Sequence, residues 1–217
     1  MKQRAVMFAL LMVCAAGAAS AQTAAVGDKY YLDVTGGATF GHKTGGSIGA
    51  EGAYFVLPSI GIFAEAGWMS NVLTAGIQND ANFIASAVGL SASAKTRLTY
   101  FDVGGTYRFP MEGRVRPYLL LGVGLAHADN VTKFASGGTD VTGQLLSTYG
   151  VQLGTDLSGS YNKVFGVFGL GVRVPVGRQW FGDISYRYGY VGKNTSDNAD
   201  IPSINTNRLQ FGFGARF

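Results

Sequence analysis

Apolar and polar residues alternate along most of this chain with a period of two. That period puts successive side chains on opposite faces of a strand. In Tyr30 to Phe40 one parity carries Tyr30, Leu32, Val34, Gly36, Ala38 and Phe40, and the other Tyr31, Asp33, Thr35, Gly37 and Thr39. Ile48 to Val56 sets Ile48, Ala50, Gly52, Tyr54 and Val56 against Glu51, and Ile60 to Trp68 sets its own apolar parity against Glu65. Phe101 to Phe109 alternates with Asp102, Gly104, Thr106 and Arg108, and Leu119 to Leu125 is offset from Arg116, Tyr118, Gly122 and Gly124. Val164 to Val174 encloses Arg173, and Trp180 to Tyr190 faces away from Asp183, Ser185 and Arg187. Leu209, Phe211, Phe213, Ala215 and Phe217 close the series against Arg208, Gln210, Gly212, Gly214 and Arg216. These are eight segments with one sense of alternation.

The links between them also alternate. Val56-Leu57-Pro58-Ser59, Phe109 to Arg114 and Pro175 to Gln179 are tight, and Pro58, Pro110 and Pro175 sit in them, where a missing backbone donor is harmless to a sheet. Ser70 to Thr96, His127 to Asn162 and Gly192 to Thr206 are long and polar, while Gly41 to Gly46 is short. Two weaker alternating stretches, Phe83 to Leu90 and Thr148 to Leu157, extend strands, lie in loops or form a further pair. Eight strands are therefore expected, with ten as the alternative.

The N-terminus adds an address. Lys2 and Arg4 precede an apolar run from Ala5 to Ala19, and Ala19-Ser20-Ala21 offers a cleavage site before Gln22. This is the three-part pattern of a secretory signal peptide, so the chain divides into a signal peptide over 1–21 and one domain over 22–217. Cys14, the only cysteine, falls in the leader, which excludes disulfides and thiolate metal sites from the exported part. Two of the 17 Lys and Arg also fall in the leader, leaving near balance with 13 Asp and Glu and no case for nucleic-acid binding. Only 14% of residues are charged, yet no run after the leader is long and apolar enough for a spanning helix.

A hydrophobic exported chain without a spanning helix points to a closed barrel. The expectation is all-β: a transmembrane antiparallel up-and-down β-barrel in the outer membrane of a Gram-negative cell, with short periplasmic turns and longer external loops. Alternation by itself also fits a soluble sandwich. Aromatics at segment ends (Tyr30, Phe40, Trp68, Phe109, Trp180, Tyr190, Phe217) match interfacial girdles and favour the barrel.

In a barrel the polar parity lines the lumen. It carries Asp33, Glu51, Glu65, Asp102 and Asp183 against Arg108, Arg116, Arg173, Arg187, Arg208 and Arg216. Unpaired charges in so narrow a space are costly, and arginine pairs with carboxylates in a bidentate fork. The expected role is an ion-pair network filling the barrel; a gated conduction path is the alternative. Glycines on the same parity (Gly104, Gly122, Gly124, Gly171, Gly212, Gly214) are expected to make room for the arginines.

Catalytic chemistry finds little support. His42 and His127 are the only histidines, and the one candidate triad, His127 with Ser136 and Asp129, requires distant residues to meet. No H-E-x-x-H, G-x-S-x-G or phosphate-binding loop occurs, and no cofactor, metal or catalytic residue is expected. The external loops, rich in Asn, Asp, Ser, Thr and Gly, are either a recognition surface or an inert polar cap.

Three motifs are sharper: Arg116-Pro117-Tyr118-Leu119-Leu120-Leu121-Gly122-Val123-Gly124, Asp183-Ile184-Ser185-Tyr186-Arg187-Tyr188, and Phe211-Gly212-Phe213-Gly214-Ala215-Arg216-Phe217. Through them the chain resembles the outer-membrane β-barrel superfamily of OmpA/OmpX-like and opacity-type proteins, often labelled porin family. The resemblance covers most of Tyr30 to Phe217. It implies that the final strand, through Phe211, Phe213 and Phe217, is read by the barrel-assembly machinery after escort by periplasmic chaperones. His127-Ala128-Asp129 lacks the H-x-S arrangement that resemblance to a lipid A deacylase would require. The family includes adhesins, lipopolysaccharide-binding and structural barrels, and a few enzymes. The implied partners are thus outer-membrane lipid and lipopolysaccharide, with a host or envelope ligand at the loops. The two-domain OmpA proteins carry a peptidoglycan-binding domain that is not expected here.

Overall fold

A computed structural model describes residues 29–154, 156–196 and 199–217. The leader, with Cys14 and the expected cleavage residues Ala19 and Ala21, lies outside the described residues. The strands are β1 (Tyr30–Phe40), β2 (Gly45–Phe55), β3 (Ile60–Met69), β4 (Ser91–Arg108), β5 (Arg116–Ser136), β6 (Thr139–Asp140), β7 (Gly159–Val176), β8 (Trp180–Val191), β9 (Asn194–Ser196), β10 (Ala199–Ile201) and β11 (Ile204–Arg216). Two helices, α1 (Ala75–Ala87) and α2 (Leu145–Tyr149), lie in the long connections. Neither described helix is long and apolar enough to cross a membrane.

Eight strands close into an antiparallel barrel in the order β4-β3-β2-β1-β11-β8-β7-β5, sealed by the pairing of β4 with β5. Closure leaves no lipid-facing edge, as a bilayer requires. The remaining strands are accessory: β6 adds a short rung to β5, and β9 and β10 form a separate hairpin. Each of the eight alternating segments falls in its own barrel strand, and the two weaker stretches do not form a further pair. Phe83 to Ala87 is helical, and Thr148 and Tyr149 end α2 before an irregular run. The barrel therefore has eight strands, not ten.

Alternation dictates the two faces. Leu32, Val34, Ile62, Leu121, Val123, Leu125, Phe211 and Phe213 all point outward and are exposed. The opposite parity is buried. Along β11 the apolar outward set runs from Leu209 to Phe217, about 27 Å at ~3.4 Å per residue. A tilt of about 35–45° projects this to about 19–22 Å along the membrane normal, most of the ~25 Å apolar band of an outer-membrane barrel. The turns at 56–59, 109–115 and 177–179 lie at the end holding Tyr30 and Phe217, which identifies it as the periplasmic end.

At the other end β4, β5 and β7 outgrow their neighbours. β3 stops at Met69, opposite Leu98, whereas β4 and β5 stay paired out to Ser91 and Ala135. The outward face changes along the way. On β4, Phe101 and Val103 give way to Lys95, Arg97 and Thr99; on β5, Leu121 to Leu125 gives way to His127, Asp129 and Lys133. That switch marks where the strands leave the hydrocarbon. The long loops read as polar links are thus partly strand.

The inward face of this extension sets Ala94 and Phe134 beside buried, hydrogen-bonded Thr96, Asn130 and Thr132, and is covered by α1 and α2. Ile77 and Ala81 of α1 pack with Leu73, Ala94 and Leu157, and Ala85 packs with Phe134 and Leu145. Helix α1 escapes a period-two reading because its buried positions fall four apart. It starts at Thr74, whose hydroxyl accepts from the Ile77 amide at 3.4 Å. It stops at Gly89 (φ 70°), where the Leu90 amide reaches back to the Ala85 carbonyl at 2.8 Å, a Schellman closure that favours glycine.

Candidate functional site

The lumen holds the densest chemistry. Strand register sets Asp33 opposite Glu51, Glu51 opposite Glu65, and Glu65 opposite Asp102, a belt of four carboxylates across β1 to β4. Like charges facing one another across strands destabilise a sheet, so the belt requires counter-charge. The opposite wall supplies it. Arg187 Nη2 lies 2.6 Å from Glu51 Oε2 and its Nη1 pairs with Glu65. Arg173 reaches Glu51 at 3.0 Å and Asp183 at 3.3 Å, and Arg208 reaches Glu65 at 3.2 Å. No side chain in these pairs exceeds 7% exposure.

Three tyrosines complete the network. Tyr31 donates to Glu51. Tyr100 donates to Glu65 at 2.7 Å and accepts from Arg208, and Tyr118 donates to Asp183 at 3.0 Å. The Arg173 guanidinium stands 3.8 Å from the Tyr31 ring centre and 4.0 Å from that of Tyr118, a double cation–π contact. Sequence reading gave these phenols no role. Their inward parity was visible for Tyr31 and Tyr118, but not that each hydroxyl would reach a carboxylate.

Two of the acids expected in the lumen stand outside these pairs. Asp33 and Asp102 are buried, yet neither carboxylate has a hydrogen-bond partner among the described residues. Arg108, Arg116 and Arg216 gather at the periplasmic mouth with Arg173, around a small cleft lined by Tyr31, Tyr118 and Phe181. Arg108 lies 3.8 Å over Phe55, and Arg216 donates to the Arg178 carbonyl at 3.0 Å and that of Gly177 at 3.2 Å. The inward glycines also differ from expectation. A Cβ on Gly171 would strike Tyr118 at 2.6 Å, and one on Gly122 would strike Phe63 at 2.8 Å. The nearest neighbours of all six glycines are aromatic rings, carboxylates, a threonine and backbone, so the room they leave does not go to arginines.

Apolar layers lie beyond the charges on both sides. Phe55, Phe63 and Phe181 are buried toward the periplasmic end, and Met69, Leu98, Phe165, Val191 and Ile204 toward the outer end. Above these stand the packed helices of the extension. Phe83 and Leu146 remain exposed on this outer surface at 76% and 64%. Asp140 accepts from the Thr142 hydroxyl at 2.6 Å and its amide at 3.0 Å, and these bonds hold its carboxyl below the usual carboxylate range.

The candidate triad does not assemble. His127 and Asp129 share the outward face of β5, and Ser136 lies nine residues along the same strand from His127, about 30 Å away at ~3.4 Å per residue. His127 instead pairs through Nδ1 with Asn162 Oδ1 at 2.8 Å. Among the described residues no group of three or more His, Cys, Asp or Glu is arranged to hold a metal ion.

The family model described as outer membrane protein beta-barrel domain matches residues 6–217. No curated protein sequence matches the chain. Among solved structures, Neisserial surface protein A (NspA) aligns with a TM-score of 0.55 at 16% identity, covering 87% of this chain and 97% of that one. A major outer membrane protein from Thermus thermophilus aligns with a TM-score of 0.50 at 12% identity, covering 87% and 99%. At such identities the likeness shows the fold alone.

Proposed function

The chain belongs to the outer membrane protein β-barrel domain family, and from that premise we propose a structural and surface-interaction role, exercised by the external face above a closed lumen. One observation carries this reading: eight charged side chains, Asp33, Glu51, Glu65, Asp102, Asp183, Arg173, Arg187 and Arg208, are buried across the lumen between apolar layers. An eight-stranded barrel has room for its own side chains and little else. The network fixes strand register and fills the interior. The polar outward face of the extension and the exposed Phe83 and Leu146 are left as the recognition surface for a host or envelope ligand or lipopolysaccharide. The separation of His127 from Ser136 supports a non-enzymatic reading.

A narrow channel for small solutes is the second reading, favoured by the carboxylates of Asp33 and Asp102, which have no hydrogen-bond partner among the described residues and suit a hydrated path. Planar-bilayer recording separates the two. The closed-lumen reading expects a flat baseline from pure refolded protein, and reproducible unitary steps would replace it with the channel. For biogenesis, the terminal Phe217 together with Phe213 and Phe211 serves as the assembly signal. Deleting Phe217 should lower outer-membrane yield while leaving refolding in detergent intact; unchanged yield would remove that role.

A further inference from the structure

Five acids and three arginines are buried in the lumen, and among the described residues no buried lysine joins them. Arg173, Arg187 and Arg208 are shared among Glu51, Glu65 and Asp183, three charges for three. Asp33, 4% exposed, and Asp102, 0% exposed, stand outside these pairs, and no oxygen of either carboxylate has a hydrogen-bond partner among the described residues. Register sets each beside a further acid, Asp33 facing Glu51 and Asp102 facing Glu65. The charged groups that act most strongly on Asp33 are Glu51, Arg173, Asp183 and Arg187, and those on Asp102 are Glu65, Arg208, Arg187 and Glu51. Every arginine among them is already engaged with a different carboxylate. The buried set is thus two positive charges short, and a buried carboxylate without counter-charge costs far more than a lost hydrogen bond.

A second, independent observation is a row of neutral oxygens close to Asp33. Gly37 faces Ser47 on β2 and Gln210 on β11, and Gln210 faces Ser185 on β8. Ser47 Oγ, Gln210 Oε1 and Ser185 Oγ are buried with no hydrogen-bond partner among the described residues. Gln210 Nε2 donates to Thr35 Oγ1 at 3.3 Å, and Thr35 is the next inward residue along β1 from Asp33. Such oxygens suit the water that accompanies a small ion into a buried polar site. Asp102 stands instead beside Gly122 and Phe63. Among the described residues no group of three or more His, Cys, Asp or Glu is arranged to hold a metal ion, so a divalent ion lacks its oxygen ligands here.

We infer that the folded lumen takes up two univalent positive charges from the medium, one at Asp33 and one at Asp102, each a proton or a sodium ion. The unfolded chain keeps its carboxylates in water and has no such need. Uptake therefore couples the stability of the barrel to the medium, and stability rises with the concentration of whichever ion is bound. The inference rests on the buried charges alone, and not on the role of the external face.

The test is urea unfolding of the refolded mature protein in uncharged micelles, read by gel mobility before heating. One series exchanges sodium for choline at fixed ionic strength, and another runs from mildly acid to mildly alkaline pH in choline alone. The slope of the logarithm of the unfolding constant against pH, or against the logarithm of sodium concentration, counts the charges released. Wild type should release about two more charges than D33N/D102N, and each single variant about one more. A difference in the pH series assigns protons, and one in the sodium series assigns sodium. Slopes of wild type and D33N/D102N that coincide in both series overturn the inference. If the double variant fails to give a compact heat-modifiable band, D33N and D102N decide singly against wild type. Unitary conductance would end the closed-lumen reading without touching this count.

Discussion

Strands β4, β5 and β7 run through two surroundings, and the side chains that β4 and β5 turn inward change character between them. Within the barrel the inward face of β4 carries Leu98, Tyr100 and Asp102; above it the same face carries Thr96, Ala94 and Ala92. On β5, Tyr118 faces the charged lumen, while Ala126, Ala128 and Phe134 lie in or beneath the outer cap. The outward face makes the opposite change, from Phe101 and Val103 to Arg97 and Lys95. In hydrocarbon the apolar residues are needed outside, which leaves the interior to ion pairs. In water they are needed inside, so the extension builds a largely apolar core with α1 and α2, in which the buried polar groups Thr96, Asn130 and Thr132 are hydrogen-bonded rather than ion-paired. One continuous hairpin thus holds two cores of opposite chemistry, each set by what lies on the other side of the sheet.

The largest test of this contrast falls on the ionic core. Removing Arg187 leaves Glu51 and Glu65 facing one another without their shared partner, and R187A should cost about 3–5 kcal/mol. Urea unfolding in detergent micelles, read by gel mobility before heating, checks it. R187M/R208M/E51Q/E65Q should regain much of the loss, because both guanidiniums leave with the carboxylates they pair and Arg173 keeps Asp183. An R187A barrel as stable as wild type would show that the network carries no register.

In the apolar core, F134A should cost a similar or slightly smaller amount, about 3 kcal/mol, but locally. Hydrogen exchange should quicken over 75–90 and 141–153 while the barrel strands stay protected; exchange quickened in both would show the two cores unfold as one. The boundary itself is tested on one face of one strand. F101R, within the lipid band, should cost about 2–4 kcal/mol, whereas R97F, two turns of the pleat above it, should stay within ~0.5 kcal/mol. Equal costs would place the bilayer boundary elsewhere. The smallest effect is at the start of α1, where T74A should cost about 1 kcal/mol, visible as faster exchange in the first turn of the helix.

The barrel strands were legible because their rule is local. A period of two is written in consecutive residues, and Leu209 to Phe217 shows it almost without interruption. The inward set of charges followed from the same parity. Helix α1 was not legible in that reading: Phe83 and Ile84 fall together, and the alternation seen from Phe83 to Leu90 arises by chance on a helix whose buried residues are Ile77, Ala81 and Ala85. The outer ends of β4 and β5 were hidden because their polar outward residues, Lys95, Arg97, His127 and Asp129, look like loop once the lipid-facing pattern stops.

By itself the sequence determined that strands form, which parity faces lipid, where the short turns fall and which charges must share an interior. All of these depend on neighbours in the chain and on the medium outside. Only the tertiary structure decided how the interior charges divide. Glu51 and Glu65 share Arg187 across the lumen, Asp183 takes Arg173 with Tyr118, and Asp33 and Asp102 take no hydrogen-bond partner among the described residues. Barrel closure sets β2 and β3 across from β8, residues more than a hundred positions apart, and no local pattern can encode which guanidinium lies opposite which carboxylate.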